Sequence, residues 1–235
     1  MFGKIVNPSV FQPGVQIRDF PSTIMDQELR LCIKLPLGYE DEENSYPVLF
    51  VLDANHNFPV YSTLSFVYEK FIKPSQMIII VGIGYKLDYD RTKALAQFGA
   101  WRTRDLTPIQ NPDLEQRVQK IIDPMMVDEK VKVQTGKSGR FLEVINEEII
   151  PFIETNYRVL NTERGLAGYS FGGLFTLYAL LHTPETFTHY LAGSPSIWEQ
   201  LFKYEEDYAK NHNGLQAHLY MSAGGLEESL NEPLN

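Results

Sequence analysis

Val48–Leu52, Met77–Ile83, Leu166–Tyr169 and Tyr190–Ala192 are short apolar runs that lack the alternation of a half-exposed strand. Strands of this kind are covered on both faces, as in a parallel sheet held between helices. Leu219–Met221 is a candidate fifth run. Helical patterns lie between them. Val60, Leu64, Val67 and Phe71 share one helix face, as do Phe141, Val144, Ile145, Ile149 and Phe152. Pro151 is expected to kink the second of these helices, because it lacks an N–H and crowds the preceding turn. Leu174, Leu177, Tyr178 and Leu181 mark another helix, and Phe202–Ala209 a weaker one. Strands that alternate with helices predict an α/β fold, a mostly parallel central sheet with helices on both faces and right-handed crossovers. One segment differs. Leu29, Leu31, Ile33 and Leu35 alternate with Arg30, Cys32 and Lys34. That period of two predicts a half-solvated, antiparallel strand near a sheet edge, with Cys32 on its polar side.

The 235 residues, 43% of them hydrophobic, suffice for one sizeable core. A single domain over 1–235 is therefore the expectation. The stretch Gly84–Arg140 breaks the rhythm, with Pro108, Pro112, Pro124, many charges and a modest helical pattern only around Val118–Ile122. A stretch this long is read as a lid or insertion at about 84–140, or as a plain surface excursion.

The net charge of −9 and the absence of a basic run argue against nucleic acid and anionic membrane surfaces as partners. No apolar stretch approaches the length of a membrane span, and Met1–Phe11 lacks the pattern of a signal peptide. A single cysteine excludes an internal disulfide framework and fits a reducing compartment, so a cytoplasmic location is expected. A homo-oligomer is compatible with the sequence. No histidine spacing suits zinc, and no cofactor is implied.

The sharpest chemical signal is Gly168-Tyr169-Ser170-Phe171-Gly172, between a predicted strand and a predicted helix. A serine on such a strained turn projects its hydroxyl above the sheet, and small residues on either side let strand and helix approach. The helix N-terminus turns free amides and a positive dipole end toward the same spot, which suits a developing oxyanion. The alternative is a glycine-rich turn with an incidental serine.

Around this elbow the chain closely resembles the putative-esterase family of α/β-hydrolases, in its siderophore-esterase-like branch. The resemblance rests on Glu148-Ile149-Ile150-Pro151-Phe152-Ile153-Glu154-Thr155-Asn156-Tyr157, the elbow itself, and Gly193-Ser194-Pro195-Ser196-Ile197-Trp198. Leu52-Asp53-Ala54-Asn55-His56-Asn57-Phe58 and Arg102-Thr103-Arg104-Asp105-Leu106-Thr107-Pro108 extend it, so it runs from about Leu29 onward. It implies an α/β-hydrolase fold and a serine carboxylic-ester hydrolase with a small-molecule ester substrate. In that mechanism Ser170 attacks an ester carbonyl, a histidine takes its proton, and a carboxylate orients the histidine. The amide of Phe171 would be one oxyanion donor, and the second would lie near Ala54 or Asn55. Ala54 stands where the family usually has glycine.

The family order of serine, acid and histidine puts the acid just after Leu219–Met221, where Glu227 fits and Glu228 is the fallback. Otherwise the two form a solvated acidic pair. The seven residues after Glu228 contain no histidine; His56, His182, His189, His212 and His218 all precede it. His182 is expected to cap a helix, His189 and His218 to lie at strand starts, and His212 to sit in a polar turn. Only His56 is expected on a loop that approaches the site. By the resemblance, the chain stops one strand, one helix and one histidine short of the family pattern, a C-terminal truncation. Trp198 is read as a substrate-side residue or as core. Arg102 and Arg104 are read as a clamp for a substrate carboxylate or catecholate, or as partners of Asp105 or a distant carboxylate. An acyltransferase of the same fold and a non-catalytic binding protein stay open as alternatives.

Overall fold

A computed structural model describes residues 14–40, 43–72, 77–126, 131–225 and 227. Glu228 and Met1–Phe11 lie outside the described residues. Seven strands, β1 (Val15–Ser22), β2 (Gln27–Lys34), β3 (Tyr46–Val51), β4 (Ile79–Tyr85), β5 (Val159–Tyr169), β6 (His189–Gly193) and β7 (His218–Ser222), form one sheet. Their order is β1-β2-β4-β3-β5-β6-β7. The strands from β4 to β7 run parallel, while β2 is antiparallel to both β1 and β4. The chain steps from β3 out to β4 and later returns to the other side of β3 as β5. The order thus reverses beside β3, and such a reversal leaves a crevice at the strand C-termini.

The apolar runs are covered on both sides by alternation. Phe50, Leu52, Val81, Ile83 and Leu166 meet Phe141, Val144, Ile145, Ile149 and Phe175 in the main core. On the opposite face Val51, Ile80 and Ala167 pack on Ala54 and Phe58 of α1 (Ala54–Val67). The predicted helix through Phe141 and Phe152 is present in two pieces, α4 (Ser138–Val144) and α5 (Ile150–Asn156). A π-helical turn over Ile145–Ile149 joins them directly before Pro151, so the expected kink takes the form of a widened turn.

α1 exists and continues as a π-helical turn over Tyr68–Ile72, but the orientation of the two reverses the expectation. Val60, Leu64, Val67 and Phe71 are 56%, 63%, 39% and 71% exposed, while Ser62 and Glu69 are buried. The reason lies on β2, whose polar side is not solvated at Lys34. Lys34 is buried and donates to Glu69 Oε1 (2.5 Å) and Ser65 Oγ (3.1 Å), and Ser65 in turn donates to Glu69 (2.8 Å). A buried ammonium needs such partners, and they draw Ser65 and Glu69 inward on the face that also buries Ala54 and Phe58. Burial lowers the Lys34 pKa while the Glu69 contact opposes it. Glu69→Leu alone is expected to cost about 3–5 kcal/mol, because it strands the Lys34 charge. Adding Lys34→Met should recover most of that loss, which urea denaturation of both variants would measure.

Two further departures have local causes. Among the described residues β7 is an edge strand, and Leu219, Tyr220 and Met221 are exposed rather than covered on both faces. The excursion after β4 carries a fifteen-residue helix, α2 (Arg91–Asp105), with Asp90 accepting from the amides of Thr92 and Lys93. It is followed by α3 (Pro112–Ile122), capped by Asn111. These helices enclose a small core of Ala96, Ala100, Ile122, Met126 and Val133. Alanines give α2 little apolar contrast, so its period is weak in the sequence. β1 has no apolar run or sustained alternation to mark it in the sequence; it is an edge strand held by its ladder to β2.

Candidate active site

β5 ends at Tyr169, and α6 (Phe171–His182) begins two residues later. Ser170 alone makes the turn, with φ 58° and ψ −116°, a conformation that non-glycine residues rarely hold. Glycine is required at position 168, because a Cβ there would lie 2.2 Å from the carbonyl oxygen of Gly172. Strand and helix backbones therefore touch. The Ser170 amide donates to the Gly193 carbonyl (3.0 Å), and its own carbonyl accepts from Leu174 (3.0 Å) and Ser196 (3.2 Å). The Ser170 hydroxyl lies 3.5 Å from the Ser196 hydroxyl, too long for a strong hydrogen bond. The Phe171 amide, first in α6, has no acceptor among the described residues, as helix geometry leads one to expect.

The facing loop follows β3, tied to β5 by Leu52 N–H donating to Ala167 O (2.9 Å). Asp53 turns the chain in the left-handed region, φ 52° and ψ 43°, and α1 starts at Ala54. The amides of His56 and Asn57 donate to Asp53 O, whereas those of Ala54 and Asn55 have no acceptor among the described residues. The Asn55 side chain is committed elsewhere. Its Oδ1 accepts from Tyr85 N–H (2.8 Å) and its Nδ2 donates to Tyr85 O (2.9 Å), pinning the loop to the end of β4. Any oxyanion donor from Ala54 or Asn55 is thus a backbone amide. A Cβ on Gly172 would lie 3.3 Å from Asp53 Oδ2, so the two loops are in contact.

Both arginines turn onto carboxylates of this chain. Arg102 donates from Nε to Asp53 Oδ1 (3.0 Å) and from Nη2 to Oδ2 (2.8 Å), with Asp53 buried. Its guanidinium lies over the rings of Phe98 and Phe171, 5.6 and 5.2 Å from their centroids. Arg104 forks onto its neighbour Asp105 (2.6 and 2.9 Å) and also reaches Gln27. Asp105 accepts from the Tyr85 hydroxyl (3.0 Å); burial pushes its carboxyl up against the pull of Arg104 and Tyr85. The distant-carboxylate alternative describes Arg102 and the neighbour alternative Arg104. Asp53 is the residue that sequence reasoning left without a role. An Asp directly after a buried strand tolerates φ > 0, and that was its available signal.

Glu227 lies past β7. Its Oε1 accepts from the Ser194 hydroxyl (2.6 Å) and the Gly224 amide (2.8 Å). Those two bonds hold its carboxyl below the usual range. Among the described residues no histidine bonds Ser170 or Glu227. His56 packs edge-on against Phe98, and His182 at the end of α6 contacts the Tyr178 carbonyl (2.8 Å). His189 and His218 stack on each other across β6 and β7, and His212 stacks on Tyr208. Trp198 precedes α7 (Glu199–Asn211), meets Phe171 edge-on, and joins Ile109 and Asn111 in lining a cleft between the α2–α3 connection and α7.

A parallel sheet with antiparallel strands at one edge, covered by helices on both faces and with a serine elbow at its reversal point, defines an α/β-hydrolase. Residues 119–235 match the family described as "Putative esterase". The chain is similar to that family, and its named relatives are siderophore esterases. It is 28% identical over 230 residues to the ferri-bacillibactin esterase BesA of Bacillus subtilis, covering 95% of this chain and 74% of BesA. It is 32% identical over 181 residues to a siderophore enterobactin esterase of Emericella nidulans, covering 74% of this chain and 55% of that protein. The chain thus spans about half the length of the fungal relative. The solved siderophore hydrolase EstA of Aspergillus nidulans superposes with a TM-score of 0.75 at 22% identity, covering all of this chain and 76% of EstA. Among the described residues no helix is long and apolar enough to cross a membrane.

Proposed function

We propose that this protein is a serine carboxylic-ester hydrolase acting on siderophore esters, the substrate class for which its relatives are named. One observation carries the reading. Ser170 occupies a strained elbow next to the Phe171 amide and facing the loop that holds the amides of Ala54 and Asn55, all three without an acceptor among the described residues. In the proposed step the Ser170 oxygen bonds the ester carbonyl carbon while its proton passes to an imidazole. The carbonyl oxygen becomes an oxyanion at those amides, and the alcohol leaves with the proton as the acyl-enzyme forms. Water then returns the serine and releases the acid. Glu227 orients the imidazole, which is the one member without an assigned residue. Trp198 and the helices α2 and α3 would close over the acyl group as a lid on one domain. A single cysteine suits a cytoplasmic setting.

The test is hydrolysis of enterobactin, iron-free and ferric, by the protein as its gene encodes it, followed by chromatography, with fluorophosphonate labelling of Ser170 alongside. Ester cleavage with labelling is expected. A folded protein that neither cleaves nor labels would overturn the reading. One observation favours a second reading, a binding protein that kept the pocket: no described histidine reaches Ser170 or Glu227. Binding of enterobactin without turnover would mark that outcome.

A further inference from the structure

Gly193 closes β6 and Ser194-Pro195-Ser196 follow it, a segment that meets both members of the proposed machinery. Gly193 O and Ser196 N–H are the acceptor and donor that bracket the Ser170 backbone (3.0 and 3.2 Å). Ser194 faces the other way. Its N–H donates to Ser222 O at the end of β7 (2.7 Å), and its hydroxyl donates to Glu227 Oε1 (2.6 Å). Ser194 holds φ at 38°, in the left-handed region, as do Asp53 and Ser170 at the neighbouring strand ends. A serine in that region is uncommon, and it persists only where its surroundings over-determine it.

The division of bonds at Glu227 is unequal. Oε1 takes both the Ser194 hydroxyl and the Gly224 amide, while Oε2 has no partner among the described residues. A carboxylate whose one oxygen already accepts two bonds has its other oxygen left to accept an imidazole N–H. We infer that Ser194 is a positioning residue: its hydroxyl fixes the Glu227 carboxylate so that Oε2 alone is offered to the imidazole, from a segment whose flanking residues bracket the Ser170 backbone. This inference rests on the proposed reading of Glu227 as the acid of a serine esterase. Ser194 itself touches neither substrate nor reacting atoms, so it acts only through Glu227.

Glycine is the informative replacement. It adopts φ 38° without strain, so Ser194→Gly removes the hydroxyl and leaves the turn in place. Hydrogen bonds to the charged form lower a carboxyl pKa. Losing one makes the carboxylate more basic and the paired imidazolium more stable. Imidazole must be neutral to take the serine proton, so the acidic limb of the pH profile moves to higher pH. A hydrogen bond to a charged group is worth roughly a tenfold to hundredfold change, which is the loss in kcat expected for Ser194→Gly, with KM unchanged. Glu227→Gln should lose more, and the double variant no more than Glu227→Gln alone. The assay is p-nitrophenyl acetate hydrolysis from pH 5 to 9, with melting temperatures for each variant. A Ser194→Gly enzyme with wild-type kcat and pH limb, beside an impaired Glu227→Gln, overturns the inference and leaves the esterase reading standing. A fully active Glu227→Gln enzyme removes the acid assignment and the inference with it. If the losses of Ser194→Gly and Glu227→Gln multiply in the double variant, Ser194 acts elsewhere and the inference fails.

Discussion

Ser170→Ala is expected to abolish ester hydrolysis, lowering kcat by a factor on the order of 10⁴ or more, while the protein melts at an unchanged temperature. Removal of a serine nucleophile costs this much because the residual rate comes only from binding and oxyanion stabilisation. Stability should not follow, since among the described residues the hydroxyl has only Ser196 within hydrogen-bond range, at 3.5 Å, and the backbone bonds of residue 170 survive the change. Steady-state kinetics together with a thermal melt separate the two quantities. If alanine at 170 keeps more than a few per cent of the wild-type rate, the acyl-enzyme assignment is wrong.

Arg102→Met should have the largest effect on stability among changes around the site. The Asp53 side chain is 5% exposed and that of Arg102 18%, so solvent screens the pair little. Truncating the arginine leaves a buried carboxylate with no counter-charge, a loss of roughly 3–5 kcal/mol. For a chain of this size that is a fall in Tm on the order of 10 °C. Arg102→Lys should rescue only part, because an ammonium cannot match both carboxylate oxygens as a planar fork does. Arg102→Met combined with Asp53→Asn should regain most of the stability. A single variant that melts like the wild type would show that Asp53 finds solvent or another donor. Slower fluorophosphonate labelling of Arg102→Met is the accompanying expectation, since the guanidinium also lies over the Phe171 ring.

Much of this was legible in the residues. Val48–Leu52 and Leu166–Tyr169 read as buried parallel strands because nothing polar interrupts them, and the helix with Phe141 and Ile149 read correctly because its large side chains recur at helical spacing. The elbow was legible because Gly168 and Ser170 have local reasons for their identities. What escaped depends on partners far along the chain. Nothing near Lys34 announces that Glu69 will bury it, and that one pairing turned α1 over. Arg102 finds its carboxylate 49 residues away, in a segment read only as a source of amides. α2 packs through alanines, whose contrast with their neighbours is too small to register as a period. Spacing could suggest Glu227 as an acid but could not supply the Ser194 hydroxyl that holds it, because sequence spacing carries no rotamer.

Three residues with left-handed backbone, Asp53, Ser170 and Ser194, stand at the ends of β3, β5 and β6. Each such conformation costs on the order of 1–3 kcal/mol, against a total stability of about 5–15 kcal/mol. A laboratory selection for heat resistance alone would therefore drift toward glycine at Ser170 and Ser194, while Asp53 is kept by its buried pair with Arg102. Each step would gain degrees of melting temperature while dismantling the rim on which the proposed chemistry depends. Thermal robustness and turnover pull in opposite directions here, so a hardier variant must draw its gains from elsewhere in the molecule, such as the exposed apolar side of α1.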